Sequence, residues 1–271
     1  MKNPPETLYI RGALSDSKSQ KYLCVVGSRS PSPYGLDACR ELIIGLKGYP
    51  ISIVSGLAIG IDGYAHKMAL EVGLNCVGFP GSPLDWDKIY PQSSLPLARE
   101  IVSKGGSLLS EYSSDFIYGE WVFPRRNNYM AGISHATLII EAGKRSGSLM
   151  TAKYAENYSR DVLAVPGSIF SDLTFGPHLL LKGCANPATC SEDILQILGF
   201  DVKAGSIMDS PAFHELDPIS KRIIRQISHG ETTIDELIGL LKINIDDLNE
   251  KLSNLELEGF IKIGSGSMRV A

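Results

Sequence analysis

Short apolar runs alternate with longer amphipathic stretches between residues 21 and 200. Each run ends in a turn of small residues, after which apolar positions recur with helical spacing. The runs are YLCVV (22–26), ISIV (51–54), NCVGF (75–79), SLLS (107–110), ATLII (136–140) and DVLAV (161–165). Because buried strands alternating with helices are typical of parallel sheets, the pattern predicts an α/β fold with a doubly wound parallel sheet.

The C-terminal part of the chain has a different pattern. Helical periodicity over 218–230, 233–242 and 245–259 is followed by two short apolar segments, FIKIG and MRVA. Thr233 and Glu236 have the spacing of a capping box, which predicts the start of the second helix. Three helices and a short hairpin within about 60 residues are typical of a winged helix-turn-helix.

These patterns divide the chain into four segments. Residues 201–212 are polar, small and rich in helix-breaking residues, which favours a linker at this point. The predicted organisation is an N-terminal extension (1–20), a sheet domain (21–200), the linker (201–212) and a small winged-helix domain (213–271).

The charge of the protein is negative overall but positive in one place. The 271 residues carry a formal net charge of −4, which argues against nucleic-acid binding through an overall positive field. Residues 121–160 nevertheless contain six Lys or Arg and two acidic residues, a local charge of +4. The sequence therefore predicts a confined anion site, in a segment that includes the adjacent pair Arg125 and Arg126.

The cysteines and the N-terminus indicate the compartment. The five cysteines are widely spread and contain no C-x-x-C pair, so we expect reduced thiols and neither a zinc site nor a disulfide framework. The N-terminus lacks the apolar segment of a signal peptide, and no run is long enough to span a membrane. We expect a soluble cytoplasmic protein that does not bind membranes.

Two of the turns that follow predicted strands have the chemistry of phosphate sites. Gly27, Ser28 and Arg29 offer backbone N–H groups, a hydroxyl and a guanidinium. The second turn adds two cations to a predicted helix start and comprises Lys144, Arg145, Ser146, Gly147 and Ser148. A tight turn and ordinary helix capping are the alternative interpretations of these two turns. The G-x-G-x-x-G fingerprint of dinucleotide binding is absent, so we expect no cofactor.

Asp62 and His66, four residues apart on one predicted helix, permit two interpretations. They have the spacing of an acid/base or metal pair, but capping and charge complementation at a helix N-terminus are commoner roles and are favoured here. Four aromatic residues lie among the same loops as candidate stacking faces, although core positions are the commoner fate of such residues. They are Tyr34, Tyr90, Phe123 and Tyr129.

Five motifs give the chain a specific resemblance. VVGSR…YG, VSGLAIGIDGYAH, FPRRN…AG, EA…SGSLMTA and AVPGS occur in the order and spacing of the DNA-processing protein A family (DprA/Smf). The resemblance implies an extended Rossmann-like domain that binds single-stranded DNA, protects it and loads the RecA recombinase during natural transformation. It also implies a homodimer, contact with RecA and no enzymatic activity.

The resemblance also implies a DNA pocket. The implied pocket residues are Gly27, Ser28, Arg29, Ser55, Gly56, Arg125, Arg126, Asn127, Lys144, Arg145, Ser146, Gly147 and Ser148. The chain departs from the family pattern at Ile59, where a basic residue is common, and at Asn128, where another arginine often follows. His178 is a further atypical residue. These departures affect the strength or shape of the pocket before they affect the identification.

The sequence leaves two alternative functions to consider, an enzyme and a transcription regulator. A nucleotide-processing phosphoribohydrolase of the same superfamily would need a catalytic acid where this chain has Thr151 and Ala152. A winged-helix transcription regulator would place the helix over 245–259 in the major groove, but that helix is acidic and residues 211–271 have a net charge of −3. This charge favours protein contact or autoregulation for the C-terminal domain.

Overall fold

A computed structural model describes most of the chain. The described residues are 4–14, 20–117, 119, 121–183, 185–200, 213, 215–228, 233–241, 243–264 and 267–270. The chain divides into two compact units, Met1–Asp201 and Val202–Ala271. The predicted linker, 201–212, lies outside the described residues, as does Cys184. The cysteines within them, Cys24, Cys39, Cys76 and Cys190, are free thiols.

The N-terminal unit is built on a sheet of eight strands. They are β1 (Tyr9–Gly12), β2 (Lys21–Val26), β3 (Ile51–Ser55), β4 (Asn75–Gly78), β5 (Ser107–Ser110), β6 (Ala136–Ile139), β7 (Asp161–Ala164) and β8 (Asn186–Pro187). The spatial order is β1-β5-β4-β3-β2-β6-β7-β8. β1 is antiparallel to β5 and every other pair is parallel. The predicted α/β class and doubly wound parallel sheet are confirmed.

The six strands predicted from apolar runs are all present as β2 to β7. Their side chains are almost entirely buried, which is why their sequences are continuously apolar. The two edge strands were not predicted. β1 lies within the segment taken as an N-terminal extension, and its mostly exposed side chains give it no apolar run. β8 is only two residues long and contains a proline, so it carries no recognisable strand pattern.

Within the described residues, six α-helices connect these strands and a seventh follows β8. They are α1 (Pro33–Ile44), α2 (Ile61–Glu71), α3 (Leu95–Ser103), α4 (Val122–Ile133), α5 (Gly147–Asn157), α6 (Phe175–Leu181) and α7 (Ser191–Ile197). Short 3₁₀ helices at Gln92–Ser94 and Asp172–Thr174 precede α3 and α6. Both helices that follow the predicted phosphate turns have a serine N-cap, Ser32 for α1 and Ser146 for α5.

The strand order reverses between β2 and β6. From β2 the chain proceeds outward through β3, β4 and β5, and then returns to place β6 on the other side of β2. The turns after β2 and β6 lie beside one another beyond the carboxyl ends of these two adjacent strands. Ligands of open α/β sheets bind at such a topological switch point.

The C-terminal unit contains the predicted helices and hairpin. They are α8 (Pro218–Ile227), α9 (Ile234–Leu241), α10 (Ile245–Leu257), β9 (Ile261–Gly264) and β10 (Ser267–Val270). The capping box is confirmed, because Thr233 N donates to Glu236 Oε2 at 2.9 Å and Glu236 N donates to Thr233 Oγ1 at 3.4 Å. The core of the C-terminal unit is formed by the apolar faces of its helices, with Ile224, Leu237 and Leu252 buried. β9 and β10 pair in antiparallel register.

Candidate nucleic-acid interface

A cleft of about 630 Å³ opens at the switch point, between the turns after β2 and β6 and the start of α4. Most of the residues predicted for the DNA pocket line it, namely Gly27, Ser28, Arg29, Arg126, Asn127, Lys144, Arg145, Ser146, Gly147 and Ser148. The fold therefore brings together residues that are more than 100 positions apart in sequence. The predicted residues Ser55, Gly56 and Arg125 do not line this cleft.

The turn after β2 and the N-terminus of α5 are joined at the floor of the cleft. Ser146 caps α5 by accepting a hydrogen bond from Ser148 N, and Ser148 Oγ donates to the carbonyl oxygen of Gly27 at 2.9 Å. A Cβ added to Gly147 would meet only Asn127 Nδ2, at 4.0 Å, so the first turn of α5 is open toward the cleft. Ser148 N and Leu149 N both donate to Ser146, so what this end of the helix presents to a ligand is chiefly its partial positive charge.

Glu141 fixes the turn after β2 to the turn after β6. Its side chain is 1% exposed, and its carboxylate accepts hydrogen bonds from Ser32 N at 2.9 Å and from Ser32 Oγ at 2.5 Å. Helix α1 approaches so closely that a Cβ on Gly35 would lie 2.4 Å from Glu141 Oε2. In the sequence Glu141 counted only as an acidic charge, although its position in the turn after the predicted strand 136–140 marked it as a residue of this edge of the sheet.

Arg126 braces the loops after β3 and β4 from inside the protein. It is 7% exposed, and its Nη1 donates to the carbonyl oxygens of Gly56, at 2.5 Å, and of Phe79, at 3.0 Å. Its Nε donates to Asn127 Oδ1 at 3.1 Å, and Asn127 Nδ2 in turn donates to the carbonyl oxygen of Gly147 at 3.4 Å. Most of the donors of this guanidinium are therefore used by the protein itself.

Asp62 and Arg126 form a buried pair of opposite charges beneath the cleft. A Cβ on Gly56 would lie 2.3 Å from Arg126 Nη1 and 2.5 Å from Asp62 Oδ2, so only glycine fits between them. Burial raises the pKa of Asp62, while the charge of Arg126 and hydrogen bonding from the Gly56 backbone oppose that shift. Burial lowers the pKa of Arg126, and the charge of Asp62 opposes it. Each charge thus reduces the cost of burying the other.

Arg125 lies outside the cleft and contacts a different loop. Its Nη2 donates to Glu111 Oε2 at 2.7 Å and to the hydroxyl of Tyr129 at 3.3 Å, and Tyr129 also donates to Glu111 at 2.7 Å. The Arg125 side chain is 55% exposed, whereas that of Glu111 is 8% exposed. The two adjacent arginines therefore have different surroundings. A sequence motif alone does not distinguish between them.

Ser55 and Gly56 are the other two residues that were predicted for the pocket and lie outside the cleft. Ser55 is fully buried, and its hydroxyl donates to the carbonyl oxygen of Val25 at 2.6 Å, which ties β3 to β2. Gly56 lines a separate pocket of about 80 Å³, which we call the side pocket. Its walls are formed by Arg29, Gly56, Ala58, Ile59, Tyr90, Pro91, Phe123 and Arg126.

Three cations remain available to a ligand of the cleft. Within the described part of the chain, no ion pair involves Arg29, Lys144 or Arg145. Arg29 lies over the ring of Phe123, with 5.7 Å from Cζ to the ring centroid, and Lys144 lies over Phe175 at 5.9 Å. Aromatic faces support these cations without neutralising them, so an anion meets positive charge here.

The aromatic candidates separate into different environments. Phe123 lines the cleft, and Tyr90 lines the side pocket. Tyr129 is 6% exposed and belongs to the core, while Tyr34 is exposed and donates from its hydroxyl to the carbonyl oxygen of Pro166 at 2.6 Å. Thr151, which the sequence places at the same helix start as Ser148, also lines the cleft, as do Pro124 and Met150, which were not predicted.

His66, which the sequence pairs with Asp62, has surroundings of a different kind. His66 is fully buried, and burial lowers its pKa to about 4. The Ser55 backbone opposes this shift, yet neither ring nitrogen has a partner with full hydrogen-bond geometry among the described residues. No group of three metal-ligating side chains occurs among those residues. A neutral core histidine is therefore the interpretation that fits this position.

Comparisons with known proteins agree with the architecture. Residues 1–199 match the family model described as DNA recombination-mediator protein A, and residues 209–267 match the DprA winged helix domain. The chain is 35% identical to Protein Smf of Escherichia coli (strain K12) over 95% of its own length and 69% of that protein. It is 37% identical to DNA processing protein DprA of Streptococcus pneumoniae (strain ATCC BAA-255 / R6) over 70% of its own length and 66% of that protein. The chain thus spans about two thirds of these relatives.

No helix within the described residues is long and apolar enough to cross a membrane.

Two solved structures resemble this chain over a little more than 70% of its length. The X-ray structure of DprA from Streptococcus pneumoniae has a TM-score of 0.64 and 35% identity, over 72% of this chain and 66% of that one. A structure of DNA processing protein A from Helicobacter pylori, which concerns its single-stranded DNA binding mode, has a TM-score of 0.63 and 30% identity, over 73% and 89%. The chain therefore belongs to the DNA recombination-mediator protein A (DprA/Smf) family and has that family's Rossmann-like α/β domain and winged-helix domain.

Proposed function

We propose that this protein is a recombination mediator that binds single-stranded DNA in the cleft. The observation that carries the proposal is the set of unpaired cations, Arg29, Lys144 and Arg145, around the open N-terminus of α5. A helix N-terminus and guanidinium groups both bind phosphate oxygens well. The single-stranded DNA binding mode described for the Helicobacter pylori relative supports the same ligand.

The walls of the cleft favour a single strand over a duplex. Phe123, Pro124 and Met150 contribute apolar surface beside the cations. Unpaired bases have exposed faces that stack on such surface, whereas the bases of a duplex are already stacked inside the helix. A ligand that has both phosphates and exposed bases can contact the cations of the cleft and its apolar surface at the same time.

A binding role fits the acid groups of the cleft better than catalysis does. Asp62 is the one carboxylate among the cleft-lining residues that the structure describes, and it is 6% exposed and lies near the buried Arg126. A general acid or base must be free to exchange a proton with a substrate. We therefore propose no catalytic step and no cofactor.

The proposal extends to partners that the family relationship suggests. The protein would protect incoming single-stranded DNA and load RecA during natural transformation and recombination, acting as a homodimer. Strongly exposed apolar side chains support a protein interface, because Ile169 is 79%, Phe170 93% and Leu179 55% exposed. The acidic C-terminal unit supports protein contact in preference to duplex binding.

A salt titration of oligonucleotide binding tests the DNA site. Lys144→Ala with Arg145→Ala should weaken binding to a single-stranded oligonucleotide and reduce the salt slope by about 1.4, because two fewer phosphates are neutralised. Lys47→Ala with Lys67→Ala, two exposed lysines outside the cleft, is the matched control and should leave the slope unchanged. Equal slopes for both double variants would contradict the site.

The partner roles need separate measurements. Sizing of the free protein, with Phe170→Ser and Leu179→Ser as variants, tests the homodimer. Addition of the protein to single-stranded DNA before RecA should shorten the lag in filament assembly. An unchanged lag, with DNA binding intact, would reject RecA loading and leave the DNA site standing.

A further inference from the structure

The edge of the sheet opposite the cleft carries a second group of basic side chains. Lys21 is the first residue of β2, His135 directly precedes β6, and Arg160 directly precedes β7. These three strands are neighbours in the sheet and pair in parallel. The three basic residues therefore lie side by side at the amino ends of the strands, and we call them the amino-edge cluster.

His135 is held in one orientation by Tyr22. Its backbone N–H donates to the carbonyl oxygen of Tyr22 at 2.8 Å, and its Nδ1 accepts a hydrogen bond from Tyr22 N at 2.9 Å. The two rings are also stacked, with centroids 6.1 Å apart and an angle of 8° between their planes. Because Nδ1 is the acceptor, Nε2 of the neutral ring carries the proton and is a hydrogen-bond donor.

The two cations of the cluster lie close enough to His135 to favour its neutral form. Burial lowers the pKa of His135, the charges of Lys21 and Arg160 lower it further, and the Tyr22 backbone opposes the shift. Within the described part of the chain, no carboxylate is among the groups that shift this pKa. The surroundings of the imidazole are therefore positively charged.

The polar groups of the amino-edge cluster are not used by the protein itself. Among the residues that the structure describes, no ion pair involves Lys21 or Arg160, and no hydrogen bond reaches Nε2 of His135. Asp161 follows Arg160 and is exposed, but it takes part in no ion pair with these residues either. The cluster therefore presents two positive charges and one oriented donor.

Helix dipoles compensate only part of this charge. α4 ends at Ile133 and α5 ends at Asn157, so the C-termini of both helices lie at the same edge of the sheet. Each C-terminus carries about half of a negative elementary charge, so the two together offset about one of the two cations. A bound anion with several acceptor oxygens would compensate the remaining charge and accept from His135.

We propose that the amino-edge cluster binds a phosphate group through Lys21, Arg160 and Nε2 of His135. A phosphate has more charge and more acceptor oxygens than a carboxylate, which suits three donors on three adjacent strands. Its source is either free phosphate or the backbone of the strand bound in the cleft, and the second source rests on the proposed single-stranded DNA binding. Since β2 is six residues long, the two edges are about 20 Å apart, and the strand must extend beyond the cleft to reach the cluster.

Thermal melts with inorganic phosphate test the site itself. At constant ionic strength, phosphate should raise the melting temperature of the wild-type protein, because a ligand of the folded state stabilises that state. Lys21→Ala with Arg160→Ala should lose part of this rise. Arg40→Ala with Lys67→Ala removes the same two charges from exposed positions on α1 and α2 and should keep the whole rise. Acetate, as a carboxylate of lower charge, should stabilise the wild type less than phosphate does.

Oligonucleotides of two lengths test whether the DNA strand supplies the phosphate. A short one, of about five nucleotides, occupies the cleft alone, and one several times longer can reach the opposite edge. Lys21→Ala with Arg160→Ala should leave the salt slope for the short oligonucleotide unchanged. It should lower the slope for the long one by about 0.7 or more, the contribution of one phosphate contact. The control pair at Arg40 and Lys67 should lower neither slope.

The outcomes separate this inference from the proposed function. A smaller phosphate rise with unchanged slopes would support a site for free phosphate, and a lower slope for the long oligonucleotide would support a site for the strand. If Lys21→Ala with Arg160→Ala changes neither quantity, or if acetate stabilises the wild type as much as phosphate does, the phosphate site is overturned. If the wild type binds neither oligonucleotide with a salt-dependent affinity, the proposed DNA site fails, while the melts still decide the inference.

Discussion

Arg126 donates from its buried guanidinium to the carbonyl oxygen of Gly56, the residue that follows β3. The same nitrogen donates to the carbonyl oxygen of Phe79, so one side chain connects the loops after two neighbouring strands. These contacts make Arg126 part of the structure that supports the cleft. Its positive charge is compensated from within the protein by Asp62.

We predict that Arg126→Ala destabilises the N-terminal unit by about 3 kcal/mol, because the carbonyl oxygens of Gly56 and Phe79 lose their donor and the buried Asp62 loses the nearby positive charge. Denaturant unfolding, followed by the fluorescence of the tryptophans in that unit, measures the change. Arg126→Ala with Asp62→Asn is the matched control and should recover part of the loss. A single variant as stable as the wild type would contradict the bracing role.

Arg125→Ala should behave differently from its neighbour. Its side chain is 55% exposed, but its partner Glu111 is 8% exposed and would keep only the hydrogen bond from Tyr129, so we expect a stability loss of about 2 kcal/mol. Binding to single-stranded DNA should retain its wild-type salt slope, in contrast to the Lys144 and Arg145 double variant. A slope reduced by about 0.7 for Arg125→Ala would show that this residue does contact a phosphate.

The contrast between the two arginines illustrates how far sequence reasoning extends. The apolar runs and the small-residue turns predicted the parallel sheet, and the sheet order then placed distant turns at one edge. Local charge counting found the segment that carries Arg125 and Arg126, and their adjacency at a helix start implied that one of them braces the fold, but the sequence left open which one. Their separation depends on which loop each contacts, and those contacts link residues 14 to 70 positions apart. Edge strand β1 was not predicted for a related reason. It pairs with β5, which is distant in sequence, and its own side chains are mostly exposed.

Glu141→Ala gives a prediction whose sign opposes simple electrostatics. Removal of a negative charge beside the cleft would strengthen DNA binding if net charge alone decided affinity. Because the carboxylate accepts both hydrogen bonds from Ser32 and is 1% exposed, its loss should loosen the turn after β2. We expect affinity for single-stranded DNA to fall about threefold or more, the cost of ordering a loosened loop on binding.

A titration at two salt concentrations separates these effects for Glu141→Ala. Glu141→Gln serves as the control, since it removes the charge but retains an oxygen that accepts a hydrogen bond. Its affinity should lie above that of Glu141→Ala at both concentrations. Tighter binding by Glu141→Ala than by the wild type would mean that charge outweighs loop anchoring.

The stability of the C-terminal unit should depend on pH through Asp217. This residue caps α8, and its carboxylate accepts a hydrogen bond from Lys251 Nζ at 2.8 Å. Burial alone would raise the pKa of Asp217, but the hydrogen bonds from Lys251 and Ser220 outweigh it and hold the pKa well below its ordinary value of 3.8. A lowered folded-state pKa gives stability that is fully present above the unfolded value and is lost as pH falls below it.

We therefore expect the melting temperature of the C-terminal unit to fall as pH decreases from about 4 toward the lowered folded-state pKa of Asp217. Asp217→Asn keeps a good N-cap but removes the charge, so the variant should be less stable than the wild type at pH 6. Circular dichroism melts of the two proteins measure the difference between them, which cancels the contribution of other carboxylates. That difference should shrink steadily below pH 4, because protonation gives the wild type the neutral side chain that the variant already has. A constant difference down to pH 2 would mean that the charge of Asp217 is not what stabilises the start of α8.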